Sequence, residues 1–134
     1  MNHNLLLLII FLTTAIYPAR IALLVGSTLG APDDAELRYV ERDLTSFRSV
    51  LSELCGFDKN DIFTLYNTDS TRFIQTVEFL RGKISAQKEN LFLFYYTGHA
   101  NEKGIKFKNE IIPFNRLKEL MASTGASIQI GIFY

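Results

Sequence analysis

The chain has 134 residues, 48% of them hydrophobic and 21% charged, which is enough apolar material for one domain with a real core and argues against disorder. Its 14 basic side chains balance 14 acidic ones, so no net field steers the protein toward nucleic acid or an anionic membrane, and nucleic acid is not expected as a partner. The single cysteine, Cys55, excludes an internal disulfide and a cysteine-rich zinc site.

Residues 1–19 begin with polar Asn2, His3 and Asn4, continue through an unbroken apolar run from Leu5 to Leu12, and end in small and turn-forming residues around Ala15, Pro18 and Ala19. The apolar run is shorter than the roughly 20 residues a membrane helix needs, so the layout is that of a signal peptide, although its start carries no basic residue. Ala15 and Ala19 are the candidate cleavage points. The protein is therefore expected to be exported, to a periplasm or the medium, or to stay membrane-anchored if the segment is not cut.

Residues 20–27 form a short run rich in branched apolar side chains and broken by Gly26, as expected of a strand covered on both faces. From Leu37 the apolar residues recur at Val40, Leu44, Phe47, Leu51 and Leu54, a three-four spacing that places one stripe of a helix against a core. Cys55 ends this pattern and is expected to be a buried, inert thiol. Gly56 supplies the stop. A second strand is predicted over 61–67, and Asp69 or Ser70 can cap a second helix bearing Phe73, Ile74, Val77, Leu80 and Ile84.

Residues 91–97 read as the third strand, after which the polar stretch 101–104 leads to two short apolar runs, Ile105 to Lys108 and Ile111 with Ile112, that suggest a small hairpin. Pro113 suits the first turn of a third helix carrying Leu117, Leu120 and Met121, which Gly125 ends. Residues 127–133 complete the series as a fourth strand. Strand and helix alternate, so the fold class is α/β, a doubly wound and mainly parallel sheet with helices on both faces. No repeat, linker or second domain is evident.

In such a sheet, ligands and catalytic groups gather at the carboxyl ends of the strands. The third strand stops there on Thr97, Gly98 and His99. Gly26 and Gly30 lack both the third glycine of a dinucleotide fingerprint and the Gly-Lys-Ser/Thr ending of a phosphate loop, and read as a plain turn. A phospho-receiver domain would want an aspartate where Thr97 to His99 stand. Glu102 is the only acidic residue close to His99 in sequence, too few ligands for zinc, and no Gly-x-Ser-x-Gly nucleophile elbow occurs. A cysteine-histidine arrangement remains, in which imidazole takes the proton of a thiol that, with an ordinary pKa near about 8.5, is mostly protonated at neutrality.

The block FLFYYTGHA, Phe92 to Ala100, resembles the histidine motif of the caspase-type cysteine peptidases, the family of caspases, metacaspases and bacterial caspase-like proteins, usually an aromatic strand followed by Ser-Gly-His-Gly. Ile21 to Gly26 is similar to that family's first strand, Leu37 to Asp43 to the start of its first helix, Asp69 to Thr71 with Ile74 to the start of its second, and 127–133 to its fourth strand. The resemblance implies a cysteine endopeptidase fold in which His99 is the catalytic histidine, the N–H of Ala100 forms part of an oxyanion hole, and Asp43 binds a basic substrate side chain, with a polypeptide as substrate and neither metal nor other cofactor.

The departure lies after the fourth strand, where the family runs into Asp-x-Cys-x-x-Gly and this sequence reads Gly131, Ile132, Phe133, Tyr134. Residues 20–134 are thus expected to be the N-terminal portion of such a catalytic domain, cut after the fourth main strand and inactive alone for want of the nucleophile. Two other readings stay open. One is an inactive relative that binds a protein partner at the exposed edge of the sheet. The other is an unrelated small α/β ligand-binding domain using the loops around Gly26 and Thr97.

Overall fold

The computed structural model describes residues 18–30, 32–86, 89–108 and 110–134. The proposed signal segment therefore lies almost wholly outside the described residues. Among the described residues no helix is long and apolar enough to cross a membrane.

Four strands make the central sheet: β1 (Ala19–Gly26), β2 (Ile62–Tyr66), β3 (Asn90–Thr97) and β6 (Ile128–Phe133), in the order β2-β1-β3-β6. Every neighbouring pair is parallel. Helix α1 (Val40–Leu54) links β1 to β2, α2 (Ser70–Ser85) links β2 to β3, and α3 (Phe114–Ser123) precedes β6. The remaining strands, β4 (Gly104–Phe107) and β5 (Glu110–Pro113), pair antiparallel as a separate hairpin. The α/β class, the parallel sheet and the hairpin all agree with the sequence reading.

Helices cover both faces. Ile21, Leu23 and Val25 of β1, with Phe92, Phe94 and Tyr96 of β3, pack against Phe73, Val77, Leu80 and Ile84 of α2, Leu117 and Leu120 of α3, and Ile105 and Phe107 of the hairpin. Ala22, Leu24, Leu93 and Tyr95 point the other way, under Val40, Leu44 and Leu51 of α1. Two covered faces explain why β1 and β3 are unbroken apolar runs rather than alternating ones. The α2 stripe holds as expected, and its cap is Asp69, whose carboxylate accepts from the Arg72 N–H at 2.7 Å.

Helix α1 departs from its predicted pattern at both ends. It begins at Val40, so Leu37 reaches the core from the preceding loop. Its last turn overhangs the sheet and leaves Leu54 80% exposed. Cys55 is exposed too, which corrects the expectation of a buried thiol. The reason is the helix stop: Gly56 turns the chain with φ of 70°, the N–H groups of Cys55 and Phe57 both return to the Leu51 carbonyl, and Phe57 fills the core in place of the thiol. Arg20 donates to the Cys55 carbonyl and holds the turn against the start of β1.

Candidate active site

The carboxyl ends of β1, β2 and β3 are tied together by their first loop residues. Ser27 donates its N–H to the Thr97 carbonyl at 3.0 Å, and Asn67, just past β2, donates its N–H to the Gly26 carbonyl at 2.8 Å. The Asn67 side-chain oxygen then accepts from both the N–H and the hydroxyl of Thr28, at 2.8 and 3.0 Å. Asn67 holds this position in the left-handed region, φ 49°, which Asn tolerates better than most residues. Rigid strand ends are what a positioned catalytic group requires.

His99 sits two residues beyond β3, half-buried. Its carbonyl accepts the Lys106 N–H at 2.8 Å and the Tyr96 hydroxyl at 2.7 Å, and that same hydroxyl lies 2.7 Å from the Lys106 carbonyl. The Tyr96 ring passes beneath Gly98, where an added Cβ would stand 2.7 Å from the hydroxyl and 3.1 Å from the Ser27 carbonyl. Only glycine fits, which is why the turn that presents His99 is built on Gly98. Burial pushes the Tyr96 hydroxyl far above the ordinary tyrosine value, against a smaller lowering by a hydrogen bond with the Lys106 backbone, so it remains a neutral donor.

The His99 imidazole leans on the loop after β1. A Cβ on Gly30 would lie 2.7 Å from its Cδ2 and would also collide with the Asp34 carboxylate, whose Oδ2 takes the Lys106 ammonium at 2.7 Å. The Nε2 of His99 is enclosed and has no hydrogen-bond partner among the described residues. Ala100 bridges to Ile105, but the two bonds of that bridge run from Asn101 N–H to Gly104 and from Lys106 N–H to His99, which leaves the Ala100 N–H outside the ladder.

Beside this turn lies a cavity of about 680 Å³ whose lining includes Arg38, Arg42, Asp43, Thr97, Gly98 and Tyr134. Asp43 is half-buried, and among the described residues no ion pair engages its carboxylate. Tyr95 feels the same charge: burial raises its hydroxyl, the Asp43 charge raises it further, and a hydrogen bond with Thr97 lowers it. Thus Asp43 and the Thr97-Gly98 turn meet in one cavity. His99 is not part of that lining, and the Cδ2 edge of its imidazole lies against Gly30, beside Asp34.

Tyr134 closes the same rim, because β6 runs alongside β3 and the Tyr134 N–H donates to the Tyr96 carbonyl at 2.9 Å. Cys55 lines a different cavity, with Arg20, Leu51 and Phe57 near the start of β1. The two ends of β1 separate it from His99, so no thiol of this sequence reaches the imidazole. Among the described residues no group of His, Cys, Asp and Glu is arranged to hold a metal ion.

Asp34, Lys106 and Tyr96 carry much of this geometry and were not singled out by sequence. Glu102, near His99 in sequence, is exposed in the loop before β4. The signal that brings Asp34 to His99 is tertiary, since it depends on β1 and β3 being neighbours.

No curated protein matches the chain. The family model for the caspase domain matches residues 19–127, from the first residue of β1 to the residue before β6, and the strand order, the histidine turn and this match together place the chain in the caspase-domain peptidase family.

Proposed function

We propose that the protein is a cysteine endopeptidase domain in which His99 is the general base for a thiol presented at the carboxyl end of β6. The observation that carries this reading is the juxtaposition of strand ends: β6 is the parallel neighbour of β3, and its last residues run out beside the turn that bears His99. Adjacent strands lie about 4.8 Å apart, so a side chain just past β6 comes within reach of the imidazole. His99 takes the thiol proton, the thiolate attacks the peptide carbonyl, and the unengaged Ala100 N–H donates to the developing oxyanion. The imidazolium then gives its proton to the departing amine as the peptide C–N bond breaks, and the neutral His99 takes a proton from water, which releases the acyl group and returns the thiol.

Asp43 supports a preference for substrates with a basic residue before the cut. Its carboxylate faces the cavity that adjoins Thr97 and Gly98, although Arg38 and Arg42 share that lining. No cofactor enters this scheme, and the polypeptide is the only partner it requires. Residues 1–19 serve as an export signal ahead of the catalytic portion, so the protein works outside the cytoplasm or anchored to its membrane.

The test is covalent. A peptidyl acyloxymethyl ketone ending in arginine should label the protein at a cysteine within a few residues of the end of β6, as mapped by peptide mass spectrometry of the natural gene product, and Asp43→Ala should slow that labelling. Modification of Cys55 instead, or no labelling, contradicts the assignment.

The exposed side of β6 favours a second reading. Ile128, Ile130 and Phe133 are all exposed, and among the described residues β3 is the only strand partner of β6. A partner protein adding a strand to this edge would use the fold for binding without catalysis.

A further inference from the structure

We propose that Asp34, held by Lys106, is the positioning residue of His99: its carboxylate accepts the proton on Nε2 and so turns the Nδ1 lone pair toward the nucleophile. The proposal rests on the reading of His99 as the base, and it begins from an unmet requirement. A neutral imidazole carries one N–H and one lone pair. Nε2 is enclosed, so an approaching thiol reaches Nδ1, and Nδ1 must then be the nitrogen with the free lone pair. That assigns the proton to Nε2, a buried donor with no acceptor among the described residues. A donor so placed is stabilised only if an acceptor comes to it.

A charged candidate is already at hand. The edge of the imidazole that bears Nε2 and the Asp34 carboxylate both close on the one α-carbon of Gly30. A side chain at that position would wedge them apart, which gives Gly30 a reason independent of turn conformation. The Lys106 ammonium occupies Asp34 Oδ2 at 2.7 Å, and the two side chains are 17% and 25% exposed, so the carboxylate is fixed and charged. An ionised carboxylate has about four lone-pair sites and can accept from several donors at once.

Lys106 also holds the His99 backbone through its own N–H, so one residue sets both the imidazole's anchor and its acceptor. In the resting geometry the bond from Nε2 is open, as catalytic hydrogen bonds often are before substrate binds. During the reaction the thiol S–H bond breaks, an N–H bond forms on Nδ1, and the Asp34 carboxylate faces the resulting imidazolium without itself taking a proton.

The experiment is nuclear magnetic resonance on the chain labelled with nitrogen-15 histidine, with His3→Gln leaving His99 as the one imidazole. The expected result is a protected, downfield ring proton on Nε2 and a lone-pair-type Nδ1. The ring proton should be lost in Asp34→Ala and equally in Gly30→Ala, which keeps the carboxylate but inserts a methyl between the partners. Lys106→Met should leave the proton present but faster to exchange. A ring proton on Nδ1 in the unsubstituted pair, or an Nε2 proton unchanged in both Asp34→Ala and Gly30→Ala, overturns the proposal. The dispersion of the ordinary proton spectrum reports whether each variant is folded, and Gly30→Ala decides the matter if Asp34→Ala is not. Because this readout involves no peptide cleavage, it separates failure of the Asp34 pairing from failure of the peptidase reading.

Discussion

Tyr96 joins the strand to the turn at the level of single residues. Its hydroxyl sits between the carbonyls of His99 and Lys106, which fixes the backbone on both sides of the imidazole's support. Tyr96→Phe keeps the ring but removes the one hydroxyl hydrogen that serves these two carbonyls, and chemical denaturation should read a loss of about 1–3 kcal/mol. The pH dependence has a definite sign. The folded protein holds the Tyr96 proton above the ordinary value, so the unfolded chain binds fewer protons once pH passes about 10 and stability falls from there upward. Burial raises Tyr95 in the same direction. Melting temperatures followed from pH 8 to 11 should therefore drop in the unsubstituted chain, and drop less in Tyr96→Phe; a parallel fall in both would remove Tyr96 as the cause. His99 and Gly98 were legible in sequence because motif and strand end coincide. Asp34 and Lys106 were not, because a lone aspartate in a loop and a lysine in a short strand carry no local mark until β1, β3 and β4 are assembled.

Elements were readable where packing follows the period and misread where the chain leaves the sheet. In α2 every predicted core position but Ile74 is buried, since the helix lies flat across β1 and β3. In α1 the pattern ran on to Leu54, yet the sheet ends first and the final turn faces solvent. The α2 cap gives this scale its own prediction. Asp69→Ala removes the 2.7 Å bond to the Arg72 N–H and should cost about 1 kcal/mol in thermal or denaturant unfolding, whereas Asp69→Ser should recover most of it. Equal losses in the two variants would mean that the capping bond is not what matters there. Two residues before this cap, Asn67 locks Thr28, so β1 and β2 deliver their loops in fixed register beside the histidine turn.

Across the whole molecule, the parallel order β2-β1-β3-β6 puts the histidine turn at one edge and Cys55 at the other. Alternation of strand and helix made that order legible, because parallel neighbours need long crossovers. The exposure of β6 was legible only in outline, as a strand too apolar for the edge it occupies. Its apolar side chains on the α1 face, Ile128 and Ile130, line an open cavity of about 700 Å³ with Leu51, Phe57 and Leu93. Such an edge invites pairing between chains, so sedimentation should show concentration-dependent association that Ile130→Lys suppresses, and identical behaviour of the two would argue that the edge is inert. The central claim is that one histidine on this frame is the base of a peptidase, and one rate tests it most directly. Hydrolysis of a fluorogenic arginyl peptide by the natural gene product should fall at least about a thousandfold in His99→Ala, the scale on which removal of a base from a nucleophile pair is felt. Cleavage that survives His99→Ala undiminished would contradict the account.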